Sequence, residues 1–368
     1  MTNMNRNQKW TGALLAAALL FGAGAGSAEF AAAASSKAAP AVQAPAAFNL
    51  KLNGKQLARK ALAGQEGSLV PLAAIRDGLG LKVSYEPKTK TYQITRGNIS
   101  VKLVPSGYGT VQTVINGAKS YTGYEWVNKQ GYNYVSVHLL TDSLGYRAGW
   151  DNATKTVNLV PLQLNNMKVT VQTLSQSDKV TNIQIEYPVI SGLTNAEVQQ
   201  QINKRFKDWA DAYLQDSLKR SKDLGPGPQG AKNEFDMNYL VTYNRNGYIS
   251  FRMLNYDYTG GAHGMSGLEG ITIRLSDGKQ IELANLLKAN PDYLKVVDKT
   301  VAAKLKKDPG YFGGFTTAGD KPDFYLKDDG IVVFFQLYEY LPYAAGFPEY
   351  YIPFSALLPN GASPFEEQ

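Results

Sequence analysis

The feature that most restricts this chain is an internal repeat. Residues 69–94 align without a gap on residues 134–159 at one constant offset. Asp77 falls on Asp142, Leu79 on Leu144, Gly80 on Gly145, Tyr85 on Trp150, Glu86 on Asp151, and Thr89-Lys90-Thr91 on Thr154-Lys155-Thr156. Each copy predicts a short helix stopped by a glycine in the left-handed C-cap conformation, then a strand, a polar turn and a second strand. A first domain over 48–162 built twice from a helix plus a β-hairpin is the expectation.

The residues before it are read as processing segments rather than fold. Arg6 and Lys9 precede an apolar run over 13–25 that ends in small residues, the pattern of a secretory signal peptide over 1–28. Gly26-Ser27-Ala28 is one cleavage site and the alanines at 32–34 a second. The run is too short for a membrane span, so no stable span is expected after cleavage. An Ala/Pro spacer follows over 29–47. The chain has no cysteine, which excludes disulfides and a lipid-modified N-terminal cysteine; the last residues carry no hydrophobic tail. The expectation is a secreted protein, released or held non-covalently at the wall.

Charge excludes little but points one way. Lys and Arg number 38 against 31 Asp and Glu, for a formal charge of +7. The excess suits a polyanionic wall, and its scatter among acids argues against a nucleic-acid binder, which concentrates charge in patches.

A second region begins at Met167. Alternation over 168–174 and 180–187 predicts paired strands, after which Thr194 or Asn195 caps a long helix. Its apolar positions Val198, Ile202, Phe206, Trp209, Tyr213 and Leu214 form one stripe. The helix ends at Gly225-Pro226-Gly227-Pro228. Strands are expected over 235–243, 248–258 and 267–275, with Asn246-Gly247 and Asp277-Gly278 as turns. A second helix is expected over 292–307, then strands over 324–326, 331–337 and 350–354. The class is α+β, with an antiparallel-rich C-terminal sheet packed by two long helices.

Two stretches draw attention as chemistry. Asn255-Tyr256-Asp257 is the triplet in which copper amine oxidases form a quinone, and His263 follows. A copper-quinone centre needs three imidazoles, however, and the chain has only His138 and His263. The same count removes His-x-x-x-His and His-Glu-x-x-His metal sites, and no cysteine nucleophile, Walker loop or Gly-x-Ser-x-Gly elbow is present. Counting does not dismiss a Ser-His-Asp arrangement around His263. Asp208 and Asp211 share a helix face beside Lys204, Arg205 and Lys207, a pattern of solvated ion pairs. No catalytic residue, metal or cofactor is expected, and the chain is read as not an enzyme.

Binding residues are expected in the loops. Gly260, Gly261 and Gly264 read as structural turn residues, with Tyr258 and His263 beside them. The aromatic run over 338–351 is interrupted by Pro342, Gly346 and Pro348, so its rings cannot all lie on one strand; Tyr338, Glu339, Tyr343 and Phe347 are the candidates.

The repeat, with Val70-Pro71-Leu72, the Asp-x-Leu-Gly stops and the Thr-Lys-Thr hairpins, resembles the copper-amine-oxidase-like N-terminal domain of exported bacterial proteins over 48–161. That domain is remote from the copper in amine oxidases, so the resemblance implies a wall-associated or adaptor role and no redox activity. Residues 257–264, Asp323-Phe324-Tyr325-Leu326 with Asp329-Gly330, and Tyr338-Glu339 with 342–346 resemble an envelope domain shared by the ectodomain of the anti-sigma factor RsiV and the non-catalytic N-terminal part of the deacetylase PdaC. This region divides into a companion domain over 165–260 and an RsiV-like domain over 261–359. The resemblance implies recognition in the envelope of a wall polymer or a lysozyme-like protein. A glycan-active enzyme using carboxylates alone and a structural envelope component stay open as alternatives.

Overall fold

Each repeat copy keeps the same local backbone. β1 (Ala47–Leu52), β2 (Lys55–Gln56), β3 (Ala61–Gly64) and β4 (Gly67–Pro71) lead into α1 (Leu72–Asp77) and the hairpin β5 (Lys82–Glu86) and β6 (Thr91–Arg96). β7 (Ile99–Pro105), β8 (Thr110–Ile115), β9 (Ala118–Lys129) and β10 (Tyr132–Ser136) follow. Then α2 (His138–Ser143) leads into the hairpin β11 (Tyr146–Asp151) and β12 (Thr156–Pro161). Both hairpin turns place the lysine of Thr-Lys-Thr at positive φ, +53° at Lys90 and +49° at Lys155. In both, the flanking threonine hydroxyls meet across it at 2.8 Å. A computed structural model describes residues 46–106, 108–359 and 362–365. The expected signal peptide over 1–28 and nearly all of the spacer over 29–47 lie outside them; Ala47, the last spacer residue, already opens β1.

Strand pairing, not the helices, organises this region. All twelve strands join one sheet in the order β11-β12-β1-β3-β4-β10-β9-β8-β7-β6-β5, with β2 paired to β1. β1 runs parallel to β12, so the two ends of the region close on each other. The expected α+β class with an N-terminal domain of duplicated helix-plus-hairpin units is therefore corrected. Among the described residues, twenty strands stand against six α-helices. The reason is backbone satisfaction: a six-residue helix buries little, whereas each hairpin leaves an edge whose N–H and C=O groups need partners.

The next sheet has the order β13 (Lys168–Ser177), β14 (Thr181–Ser191), β15 (Asn233–Arg245), β16 (Tyr248–Tyr258) and β17 (Met265–Arg274). β14 and β15 are parallel, which demands a crossover, and α3 (Ala196–Leu224) supplies it. Asn195 caps α3 by accepting the N–H groups of Glu197 and Val198 at 3.0 and 3.1 Å. Gly225, at φ +69°, ends it before Pro226. Val198, Ile202 and Phe206 are buried on the sheet, with the Phe206 ring edge-on to Phe251 at 4.9 Å. Asn246 and Gly247 both take positive φ, forming the two-residue turn that suits the twist of β15 and β16.

The second expected helix packs elsewhere. After α4 (Leu283–Leu286), α5 (Tyr293–Leu305) covers a separate three-stranded sheet of β18 (Phe324–Lys327), β19 (Gly330–Phe334) and β20 (Glu349–Pro353), followed by α6 (Phe354–Leu357). Tyr293, Val297, Val301 and Leu305 share a core with Leu326, Ile331, Val333 and Ile352. The picture of two long helices on one C-terminal sheet is thus also corrected: each helix has its own sheet. The strand expected over 331–337 stops at Phe334.

The sheets meet through small residues. A Cβ on Gly270 of β17 would lie 1.9 Å from the Phe324 carbonyl oxygen, so only glycine admits β18 at this distance. Beside it the Leu326 N–H donates to the buried Ser250 hydroxyl at 3.0 Å. Within the first domain Arg96 of β6 donates to the Leu144, Gly145 and Leu162 carbonyls at 2.7, 2.6 and 3.0 Å and so ties one repeat copy to the other. A bond between this domain and the next sheet is carried by a carboxylate. Glu186 accepts the Lys119 N–H at 2.7 Å. All described residues fall in one compact unit, Pro45–Gln368.

Two substitutions test this packing by urea denaturation. Phe206→Ala is expected to cost about 3–5 kcal/mol through the cavity it leaves. Gly270→Ala is expected to cost at least about 1–3 kcal/mol, because backbone rather than a side chain must give way. A cost near zero for Gly270→Ala would show that β17 and β18 do not depend on this contact.

Candidate functional site

The expected loop residues converge through one side chain. After β19 the chain turns at Gln336, whose amide donates to the Leu268 carbonyl at 2.8 Å and accepts the Leu268 N–H at 3.0 Å. This two-way bond holds the 336–347 loop against β17 as a further strand would. Tyr338 follows at φ +65°, a conformation that costs a non-glycine residue about 1–3 kcal/mol. Glu339 is exposed, and its carboxylate accepts the Gln336 N–H at 3.1 Å.

Across from this loop stands the turn between β16 and β17. Gly260 and Gly261 take φ +105° and +96°. Gly264 is required for space, since a Cβ there would come within 2.4 Å of the Tyr256 ring. Tyr258 donates to the Gly261 carbonyl at 3.2 Å, bracing the turn from within. His263 is exposed, its Nδ1 donating to the Gly264 carbonyl at 2.8 Å, which leaves Nε2 to accept the Tyr338 hydroxyl at 3.3 Å. The Tyr343 ring stacks on the imidazole at 4.0 Å, with Tyr338 tilted 5.7 Å from Tyr343.

His263, Tyr338 and Tyr343 therefore form one stacked cluster, the imidazole exposed and both phenol rings half-buried, with the exposed Glu339 on the Tyr338 loop. Phe347 is placed differently. It packs on the apolar cluster of Leu268, Tyr325, Val332 and Phe334, with the Arg252 guanidinium 5.8 Å from its ring centre. Both His263 nitrogens are taken by a carbonyl and a phenol, so the imidazole is not placed to activate a serine. The Asn255-Tyr256-Asp257 triplet is structural: Asp257 accepts from Tyr213 and from Arg220 at 2.7 Å, tying β16 to α3. Asp208 and Asp211 pair with Lys204 and Lys207, each at 2.6 Å.

A second region has no counterpart in the sequence reading. A cleft of about 560 Å³ opens between α2 and β11 on one side and β18 to β20 on the other, with a neighbour of about 240 Å³ sharing Asp142, Tyr325, Lys327, Asp328 and Glu349. Ion pairs bridge its walls, Lys327 to Asp142 at 3.2 Å and Arg147 to Asp329 at 2.5 Å. Arg252 grips Glu349 through Nε and Nη2 at 3.0 and 2.6 Å, and Tyr325 donates to the other carboxylate oxygen at 2.8 Å. Burial pushes the Asp328 carboxyl above the usual range, and Asp328 sits at φ +50°. That the Asp328-Asp329-Gly330 turn shares this cleft with α2 could not be read from the sequence.

Three family models match the chain in order. They are the copper amine oxidase N-terminal domain over residues 51–159, Deacetylase PdaC over 174–266, and a protein of unknown function, DUF3298, over 284–355. The copper-amine-oxidase-like first domain and the PdaC-like envelope region read from the sequence are both found. The chain is 23% identical over 179 residues to the peptidoglycan-N-acetylmuramic acid deacetylase PdaC of Bacillus subtilis (strain 168). The alignment covers 46% of this chain and 37% of the relative, little more than a third of its length. A DUF3298 member from Bacteroides fragilis shares 18% identity over 52% of this chain and 92% of its own, with a TM-score of 0.39. A DUF3298 protein from Pseudomonas aeruginosa shares 17% over 56% and 98%, with a TM-score of 0.34. Structural likeness of this size carries no argument.

The matches point to a cell-envelope protein. They also correct the expectation that the chain is not an enzyme, because the curated relative is named for deacetylating peptidoglycan. Among the described residues, no helix is long and apolar enough to cross a membrane.

The cleft yields a test by pH. A free Asp titrates near 3.9 and burial raises the Asp328 value, so the folded state holds this proton more tightly than the unfolded chain. Its stability then falls as pH rises through the folded value. Asp328→Asn, which keeps a residue tolerant of positive φ, is expected to be more stable than the parent at pH 7 and to lose that advantage below about pH 4. Unfolding free energies at the two pH values give the sign; a variant less stable at pH 7 would contradict the burial argument.

Proposed function

We propose that this protein is exported and works in the cell envelope, binding wall glycan through the loop surface of His263, Tyr338 and Tyr343. The observation that carries the reading is the stack itself. Rings from two loops are held face to face at 4.0 Å, the imidazole exposed and the Tyr343 ring half-buried. Aromatic faces offer apolar area to the C–H faces of a sugar ring, while phenol, imidazole and the Glu339 carboxylate lie at the edge for its hydroxyls. The match to a peptidoglycan deacetylase supports a wall glycan as the ligand class. In this reading the first domain, 48–162, is the adaptor, and the segments 165–260 and 261–359 form the recognition part, with Tyr258 and the glycines bracing its turn.

A second reading has one observation in its favour. The raised Asp328 carboxyl shares a cleft with Glu349 and Asp142, and carboxylates in contrasting environments are the groups that divide acid and base roles on glycans. It predicts turnover of peptidoglycan that Asp328→Asn abolishes while Tyr343→Ala reduces it through binding alone.

Co-sedimentation of the exported chain with purified peptidoglycan, with lysozyme as a competing protein ligand, tests the main reading. Tyr343→Ala is expected to weaken retention by about 2- to 10-fold, the worth of one aromatic contact. Tyr338→Gly suits φ +65° and removes the ring, so it should fold at least as well and bind as weakly. Parent-like retention of both variants, or no retention of the parent, would sink the proposal. Capture of lysozyme alone, lost in both variants, would move the surface from glycan to protein recognition.

A further inference from the structure

On the twelve-stranded sheet, a cavity of about 860 Å³ lies between the β2–β3 connection, α1 and the β9–β10 turn. Its charged lining is Lys55, Arg59, Lys60, Lys129 and Asp77. That is four cations against a single acid, in a chain whose charges are otherwise nearly balanced at 38 to 31. Asp77 is bonded to its neighbour Arg76 at 2.6 and 3.0 Å and, of the four, is acted on by Arg59 alone, so the lining keeps a positive excess.

The four cations also lack the partners that cations elsewhere have. Lys204, Lys207, Lys219 and Lys321 each meet a carboxylate. Among the described residues, no carboxylate pairs with Lys55, Arg59, Lys60 or Lys129. Arg59 instead lies over the Tyr132 ring at 4.2 Å, which fixes the guanidinium plane and leaves its N–H groups unspent. Like charges gathered round a concave surface repel one another and attract anions from solution.

The rest of the lining narrows the anion. Leu57, Leu62, Ala73 and Ala74 give the cavity an apolar side, and Tyr134 adds a second aromatic ring. A bare ion would leave that surface unused. Its volume lies within the roughly 300–1,000 Å³ of sites for small organic ligands.

We propose that this cavity is an anion-binding site for a polymer whose repeat joins a phosphodiester to a short polyol, with Arg59 and Lys129 holding the phosphate and the apolar side taking the carbons. That the polymer comes from the wall rests on the envelope reading above; the anion chemistry does not. The site is separate in sequence and in fold from the His263–Tyr343 surface.

Calorimetric titration of the exported chain with a glycerol phosphate oligomer, inorganic phosphate and a uronic-acid polymer tests it. The oligomer is expected to bind, more weakly as salt rises, and Arg59→Gln/Lys129→Gln to lose at least about ten-fold in affinity. Lys204→Gln/Lys207→Gln removes the same charge from the outer face of α3 and should bind as the parent does. Arg59 and Lys129 are half-buried and Lys204 and Lys207 exposed, so melting temperatures verify that each variant folds. Equal losses in the two variants would reduce the effect to net charge and overturn the site. Equally tight uronate binding, binding of inorganic phosphate alone, or no binding would each overturn the phosphodiester assignment. Peptidoglycan retention is read separately: retention without oligomer binding defeats only this inference, and the reverse defeats only the glycan surface.

Discussion

The Gln336 side chain, bonded both ways to the Leu268 backbone, is the contact on which the candidate binding surface depends. It substitutes for a strand pair where β19 has already ended, and it can do so because Gly270, two residues along β17, lets β18 approach against bare backbone. Without that approach the 336–347 loop has no fixed position, and Tyr338 would not meet His263. The strained φ of Tyr338 is consistent with this order of causes. Surrounding bonds hold the loop, and the ring is delivered where they put it.

The seam between the twelve-stranded sheet and the rest is apolar where Ala118 joins the core of Met167 and Val169, and polar where it borders the cleft. Glu186 of β14 crosses it to the Lys119 N–H of β9, and the pairs Arg147–Asp329 and Lys327–Asp142 span the cleft. Partly exposed ion pairs stabilise little individually, so this seam fixes geometry more than it adds stability. An apolar seam would have closed the cleft. A polar one leaves a water-accessible space lined by carboxylates and tyrosines, and burial at its edge is what raises Asp328.

Charge is thus distributed by place rather than by sequence block. The cleft sets Asp142, Asp329 and Glu349 against Lys327, Arg147 and Arg252 in ion pairs beside Asp328, and the cavity on the other domain gathers Lys55, Arg59, Lys60 and Lys129. A scan along the chain meets these residues scattered among opposite charges, which is why the sequence reads as an ordinary mixed surface. The concentration exists only where separated segments meet.

What the sequence determined by itself is local. The Thr-Lys-Thr turns, Asn246-Gly247, the Asn195 cap and the α3 stripe each state a backbone conformation within a few residues, and each recurs in the structure. The glycines and aromatics of the two candidate loops were legible for the same reason, since φ and ring chemistry belong to single residues. Tertiary structure alone decided that β1 lies parallel to β12, that α3 and α5 cover different sheets, and that Gln336 reaches Leu268. It also decided that Asp142 and Asp328 line one cleft and that Arg59 and Lys129 line one cavity. These are pairings between distant segments, set by strand register and close packing. Periodicity shows which face of an element is buried but carries no information about what it is buried against.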